Sequence, residues 1–163
     1  MFESGNKSES SEAKERLIPV LQLSNNKHGV ELLRDSVLNK STAFTLEERE
    51  KLGLVGLIPD VTESEDLQMR RVMQQLGHKN TDLDRYIYLI SLLDNDETLF
   101  YRVIMSDPMR FLPIVYDPTI GEACLKFGHI FRRPRGMYLS IAHKERLSAA
   151  MSTNLSTQPL FRS

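Results

Sequence analysis

The 163-residue chain has no Trp and only one Cys, and its 22 acidic residues nearly cancel its 21 basic ones. A single Cys excludes an internal disulfide, so any core must hold by packing alone. Cys124 falls on the apolar side of a helical pattern and reads as a small buried residue in a reducing compartment. A net charge of −1 removes the field that a general polyanion binder relies on. No apolar run approaches the roughly 20 residues needed to cross a bilayer as a helix, so no membrane partner is expected. The opening Met1-Phe2-Glu3-Ser4-Gly5 has neither the basic-then-apolar order of a secretory signal nor the Arg-rich character of a transit peptide. A cytoplasmic protein is the expectation, with a mitochondrial one as the alternative.

What the chain does have is one apolar stripe after another at helical spacing. Residues 1–16 are Ser, Glu and Lys with almost no apolar content, which predicts a disordered tail. Residues 17–111 read as a helical amino-terminal region. A short helix is expected around Leu32-Leu33-Arg34-Asp35, and Thr45-Leu46-Glu47-Glu48 has the spacing of a capping box. Ser64 starts a helix carrying Leu67, Val72, Met73 and Leu76, and Thr81 starts another with Leu83, Tyr86, Ile87, Ile90 and Leu93 on one side. Asn95 is expected to cap a fourth, with Leu99, Phe100, Val103 and Ile104, which Pro108 follows. These stripes are core seams rather than a cofactor site.

The chain is organised around Pro113-Ile114-Val115-Tyr116-Asp117-Pro118-Thr119-Ile120-Gly121. Ile114 and Val115 are β-branched and predict a buried strand. Pro118 suits the first position of a helix, behind which Ile120, Ala123, Cys124, Phe127, Ile130 and Phe131 form an apolar face. Residues 137–141 predict a second strand, and strand, helix and strand suit a right-handed βαβ unit. The expected fold class is therefore α/β: a helical amino-terminal region, then the start of a parallel sheet over residues 112–146. Such a sheet needs further elements to cover it, and residues 147–163 turn polar, predicting a disordered or atypical tail and an incomplete architecture.

The same stretch, extended to Pro-Ile-Val-Tyr-Asp-Pro-Thr-Ile-Gly-Glu-Ala-Cys, resembles the tyrosine motif of malic enzymes. Collinear matches lie on both sides. Upstream are Leu38-Asn39-Lys40, Ala43-Phe44-Thr45-Leu46-Glu47-Glu48-Arg49, Gly53-Leu54-Val55-Gly56-Leu57-Ile58-Pro59, Tyr86-Ile87-Tyr88-Leu89 and Glu97-Thr98-Leu99-Phe100-Tyr101-Arg102. Downstream are Phe127-Gly128-His129-Ile130-Phe131-Arg132-Arg133-Pro134-Arg135-Gly136 and Met137-Tyr138-Leu139-Ser140-Ile141.

The resemblance implies oxidative decarboxylation of malate to pyruvate and carbon dioxide, with NAD or NADP as oxidant and Mg or Mn as Lewis acid, in the intact enzyme. It implies that Tyr116 is the catalytic proton donor to the enol. The family's usual Thr after this Tyr is Asp117 here, and a carboxylate there would disfavour the phenolate. The family's Asp-Gly-Glu-Arg segment, base Lys, acidic metal ligands and glycine-rich dinucleotide fold have no counterpart, and no Gly-x-Gly-x-x-Gly occurs. No residue is therefore assigned to metal or cofactor, and the chain alone is expected to be inactive. Glu63 and Arg71 coincide with positions where some malic enzymes bind an acidic activator, while that site's third residue, an Arg, falls on Asn95.

His28, His78, His129 and His143 show no ligand spacing. Lys126, Arg132, Arg133 and Arg135 beside Phe131 read as a cationic helix end rather than a nucleic-acid patch. Three readings follow. The chain is the amino-terminal part of a malic enzyme, or a non-catalytic partner that assembles with full-length subunits or with itself, or an unrelated helical binding module.

Overall fold

The computed structural model describes residues 26–134, 138, 140–146, 148–149 and 151–152. The expected tail at 1–16 lies outside these residues, as do parts of the second expected strand and most of the expected tail at 147–163. The chain divides into two units at residues 126 and 127, and each is described by itself.

The first unit is helical throughout its regular elements. In chain order it has α1 (Gly29–Leu33), a 3-10 turn (Ser41–Ala43), α2 (Leu46–Lys51), α3 (Glu65–Gly77), α4 (Asp82–Asn95), α5 (Glu97–Ser106), α6 (Pro108–Val115) and α7 (Thr119–Leu125). The start signals act as their chemistry dictates. Thr45 and Glu48 close a reciprocal capping box on α2, Ser64 accepts from Leu67 N–H at α3, and Thr81 accepts from Asp84 N–H at α4. Gly53, just past α2, has φ +67, a conformation that only Gly adopts cheaply.

Helix α4 is the hub, packed against α5, α6 and α7, while α5 also packs against α3 and α6. The main core joins Val72 and Leu76 of α3, Leu89, Ile90 and Leu93 of α4, Leu99, Phe100 and Val103 of α5, and Phe111 and Ile114 of α6. A smaller cluster of Leu32, Phe44 and Leu54 holds α1 and α2 together.

Four expectations need correction. Ile114 and Val115 are not a strand but the end of helix α6. Phe111, Ile114 and Val115 recur at i, i+3, i+4, and a short continuous apolar run fits a buried helix as well as a strand. Asp107 caps α6, accepting from Arg110 N–H, and Pro108 fills its first turn, so a Pro read as a stop is a start. The fourth helix is capped by Asp96, not Asn95, which is the last residue of α4. Cys124 is exposed; of the expected apolar face Ala123 is buried in α7, and Thr119 is buried with it.

No strand occurs among the described residues. Of the expected second strand, Tyr138 and Ser140 are irregular, Ile141 opens a 3-10 turn (Ile141–Arg146), and Met137 and Leu139 lie outside the described set. The second unit also holds α8 (Phe127–Ile130), whose Phe127 ring meets Tyr138 at 5.0 Å. Among the described residues no helix is long and apolar enough to cross a membrane.

Candidate active-site segment

Tyr116 terminates α6. Burial of Phe111 and Ile114 orients that helix, which turns Met109, Leu112 and Tyr116 outward. Tyr116 is 67% exposed. Its backbone is nevertheless tied on both sides. Its N–H donates to Leu112 O at 2.8 Å, and its C=O accepts from Ile120 N–H at 2.7 Å. Asp117 and Pro118, joined by a cis peptide bond, form the exposed turn into α7. Thr119 then goes inside, 4% exposed, and its hydroxyl donates to Pro113 O at 2.8 Å. The arrangement can present a phenol outward from a fixed ledge, beside the exposed Asp117 carboxylate.

Glu63 and Arg71 are brought together, as an ion pair of 2.5 Å in which Glu63 is buried and also accepts from Thr42 Oγ1. Asn95 supplies no cation there; its side-chain amide donates to Ser91 O in its own helix. Of the His residues, His28 contacts Asn26 O through Nδ1, His78 ends α3 and His129 is exposed on α8. Lys126 pairs with Glu122 on α7.

Two polar features carry little signal in the sequence. Arg49, 2% exposed, gives Nε to Phe44 O and its two terminal nitrogens to Pro59, Thr42 and Val61 carbonyls. A basic residue inside a charged helix reads as solvated, and only the four chain turns around it make it a core residue. Asp96 is 5% exposed, caps α5 through Leu99 N–H, and has its carboxyl pushed up, chiefly by burial and further by nearby Glu65. Its signal was the second acid of Asp94-Asn95-Asp96, which places the cap one residue on. Beside it, Arg102 ion-pairs with Glu65 and Asp66, and these residues line a small open cleft of about 20 Å³. That is room for one water molecule, not for a nicotinamide dinucleotide. Among the described residues no three His, Cys, Asp or Glu side chains gather as metal ligands.

The malic enzyme N-terminal domain model matches residues 93–159, a span that includes Tyr116 and its turn. The human mitochondrial NADP-dependent malic enzyme is 47% identical over 127 residues, which cover 78% of this chain and 21% of that protein. The NADP-dependent malic enzyme of the duck Anas platyrhynchos is 46% identical over 127 residues, covering 23% of its length. That of Mus musculus is 45% identical over 124 residues, 76% of this chain and 22% of the relative. The chain spans about a fifth of the length of the curated relatives it matches. On this evidence the chain belongs to the malic enzyme family, matching it through the family's N-terminal domain.

Proposed function

We propose that this chain acts as the amino-terminal part of a malic enzyme, in which Tyr116 donates a proton during conversion of malate to pyruvate and carbon dioxide, and that the chain alone is inactive. The observation that carries the reading is Tyr116 itself, a phenol held outward at the end of α6 by backbone hydrogen bonds on both sides. A tyrosine phenol ordinarily carries its proton at neutral pH. It can hand its proton to the enol carbon if a neighbouring group stabilises the phenolate left behind. In the intact enzyme a nicotinamide cofactor would supply the hydride acceptor and a divalent metal would supply Lewis-acid chemistry. The chain's own residues position and supply the phenol. The relatives' names favour NADP over NAD. The parallel sheet, the base and the cofactor and metal sites belong, in this reading, to the greater part of the relatives' length that the chain does not span. The compartment is cytoplasmic, with mitochondrial as the alternative that the human relative's name supports.

The purified chain, with malate, Mn²⁺ and NADP, is expected to form no NADPH; turnover that Tyr116→Phe abolishes would overturn its inactivity. A companion test replaces the matched residues of the human relative with those of this chain. Tyr116→Phe in that hybrid is expected to lower kcat about a hundredfold, and an unchanged kcat would remove Tyr116 from the reaction.

A second reading, a non-catalytic assembly partner of full-length subunits, is favoured by the apolar side chains that α6 and α7 leave exposed, Met109, Leu112 and Leu125. Co-precipitation of the chain with a full-length malic enzyme, lost on Leu125→Glu, is the expected outcome under that reading.

A further inference from the structure

We propose that Thr119 is a positioning residue for Tyr116, its buried hydroxyl locking the end of α6 to the start of α7 so that the phenol leaves the helix in one direction. The inference rests on the catalytic reading of Tyr116 for its purpose, but not for its geometry.

The last carbonyls of a helix have no partner within it. At the end of α6, Leu112 O is taken by Tyr116 N–H, while Pro113 O is taken from outside the helix, by Thr119 Oγ1 at 2.8 Å. Thr119 is the first residue of α7, whose cap position is Pro118, a residue with no side-chain hydrogen bond to offer. A Thr at a helix start commonly spends its hydroxyl on its own helix. This one reaches back six residues instead. Around it Tyr116, Asp117 and Pro118 are exposed, whereas Ile114 and Ala123 are buried with Thr119. The hydroxyl is thus the polar tie on the inner side of a turn whose outer side is Tyr116.

Three bonds then bracket the Tyr116 backbone: Tyr116 N–H to Leu112 O, Ile120 N–H to Tyr116 O, and Thr119 Oγ1 to Pro113 O. The third alone depends on a side chain, so it alone can be removed without rewriting the backbone. Proton transfer to carbon demands placement of the donor to within a fraction of an ångström, and an error of about 1 Å costs on the order of a hundredfold in rate.

The test uses the 163-residue chain with ring-labelled Tyr, comparing wild type, Thr119→Val and Thr119→Ser by NMR. Val keeps the shape and loses the donor; Ser keeps the donor. In Thr119→Val the amides of Tyr116 and Ile120 are expected to exchange about tenfold faster. The Tyr116 ring signals should move toward their unfolded positions, with the amides of Leu89 and Leu93 in α4 unchanged. Thr119→Ser is expected to restore both readouts. Unchanged Tyr116 signals in Thr119→Val, or a failure of Ser to rescue, would overturn the proposal. Should Thr119→Val unfold the chain, the wild type decides. A slowly exchanging Thr119 hydroxyl proton with one fixed χ1 supports the lock, and a rotationally averaged side chain sinks it. None of these readouts depends on catalysis. Loss of the catalytic role of Tyr116, read from Tyr116→Phe in the hybrid enzyme, therefore remains a separate result.

Discussion

At the residue scale the chain's most consequential side chain is Arg49, a buried guanidinium that spans four backbone carbonyls from Thr42 to Val61. Its fork matches diverging carbonyls in a way that a single ammonium cannot. Arg49→Met keeps the apolar stem but strands those acceptors, and is expected to destabilise the first unit by about 3–5 kcal/mol in urea unfolding. Arg49→Lys should lose most of that stability as well. A Lys variant within about 0.5 kcal/mol of wild type would mean that the carbonyls find water instead. Nothing in Leu46-Glu47-Glu48-Arg49-Glu50-Lys51 announces this role, because a charged helix with i,i+4 pairs reads as solvated on all sides. The contacts come from residues 42–61 folding around it, which no local pattern encodes. Cys124 failed in the opposite sense. Its apolar neighbours placed it on a buried stripe, but α7 stops at Leu125 and buries Ala123 of that stripe while leaving Cys124 out.

Among the elements, the helices whose starts carry a hydroxyl cap were legible because caps are local chemistry. The box on α2 also makes a prediction about acid. Glu48 accepts from Thr45 N–H at 3.0 Å and from Lys40 Nζ at 2.7 Å. Partial burial works to raise its carboxyl, but Lys40 and the Thr45 N–H outweigh it, and the pKa lies below its ordinary 4.5. A carboxyl depressed on folding adds stability that is complete above its unfolded pKa and is lost as pH falls through the folded one. Asp35, depressed in the same way against partial burial by Lys27 and the Val37 N–H, acts in the same direction. Asp96 acts oppositely: burial raises its pKa, so its charge costs stability at neutral pH and protonation relieves that cost. Melting curves of Glu48→Gln are expected to lose less Tm than wild type between about pH 5 and 3. An identical acid limb in the two proteins would assign the acid sensitivity to other carboxyls. Helix α6 was the element misread. β-branched residues and a Pro favoured a strand, and the decisive signal, Asp107-Pro108 as cap and first turn, was spent on ending the helix before it.

For the whole molecule, the amphipathic stripes of α3, α4 and α5 specified the main core, since a 3.6-residue period says which side of a helix is buried without naming its neighbour. A parallel sheet is different: its strands are stable only when other strands and covering helices are present, so a short apolar run cannot declare itself one. The same limit governs what the first unit leaves uncovered. Tyr101 and Met105 on α5, Met109 and Leu112 on α6 and Leu125 on α7 are all exposed, the last at 90%. Exposed apolar side chains on three successive helices are surface that association can cover. The isolated chain is therefore expected to self-associate, its apparent mass in light scattering rising with concentration. Met109→Glu with Leu112→Glu should suppress that rise while leaving the melting temperature nearly unchanged, because neither side chain belongs to the buried core. A wild-type chain that stays monomeric across the concentration range and melts in one sharp transition would mean that these side chains are covered within the chain itself.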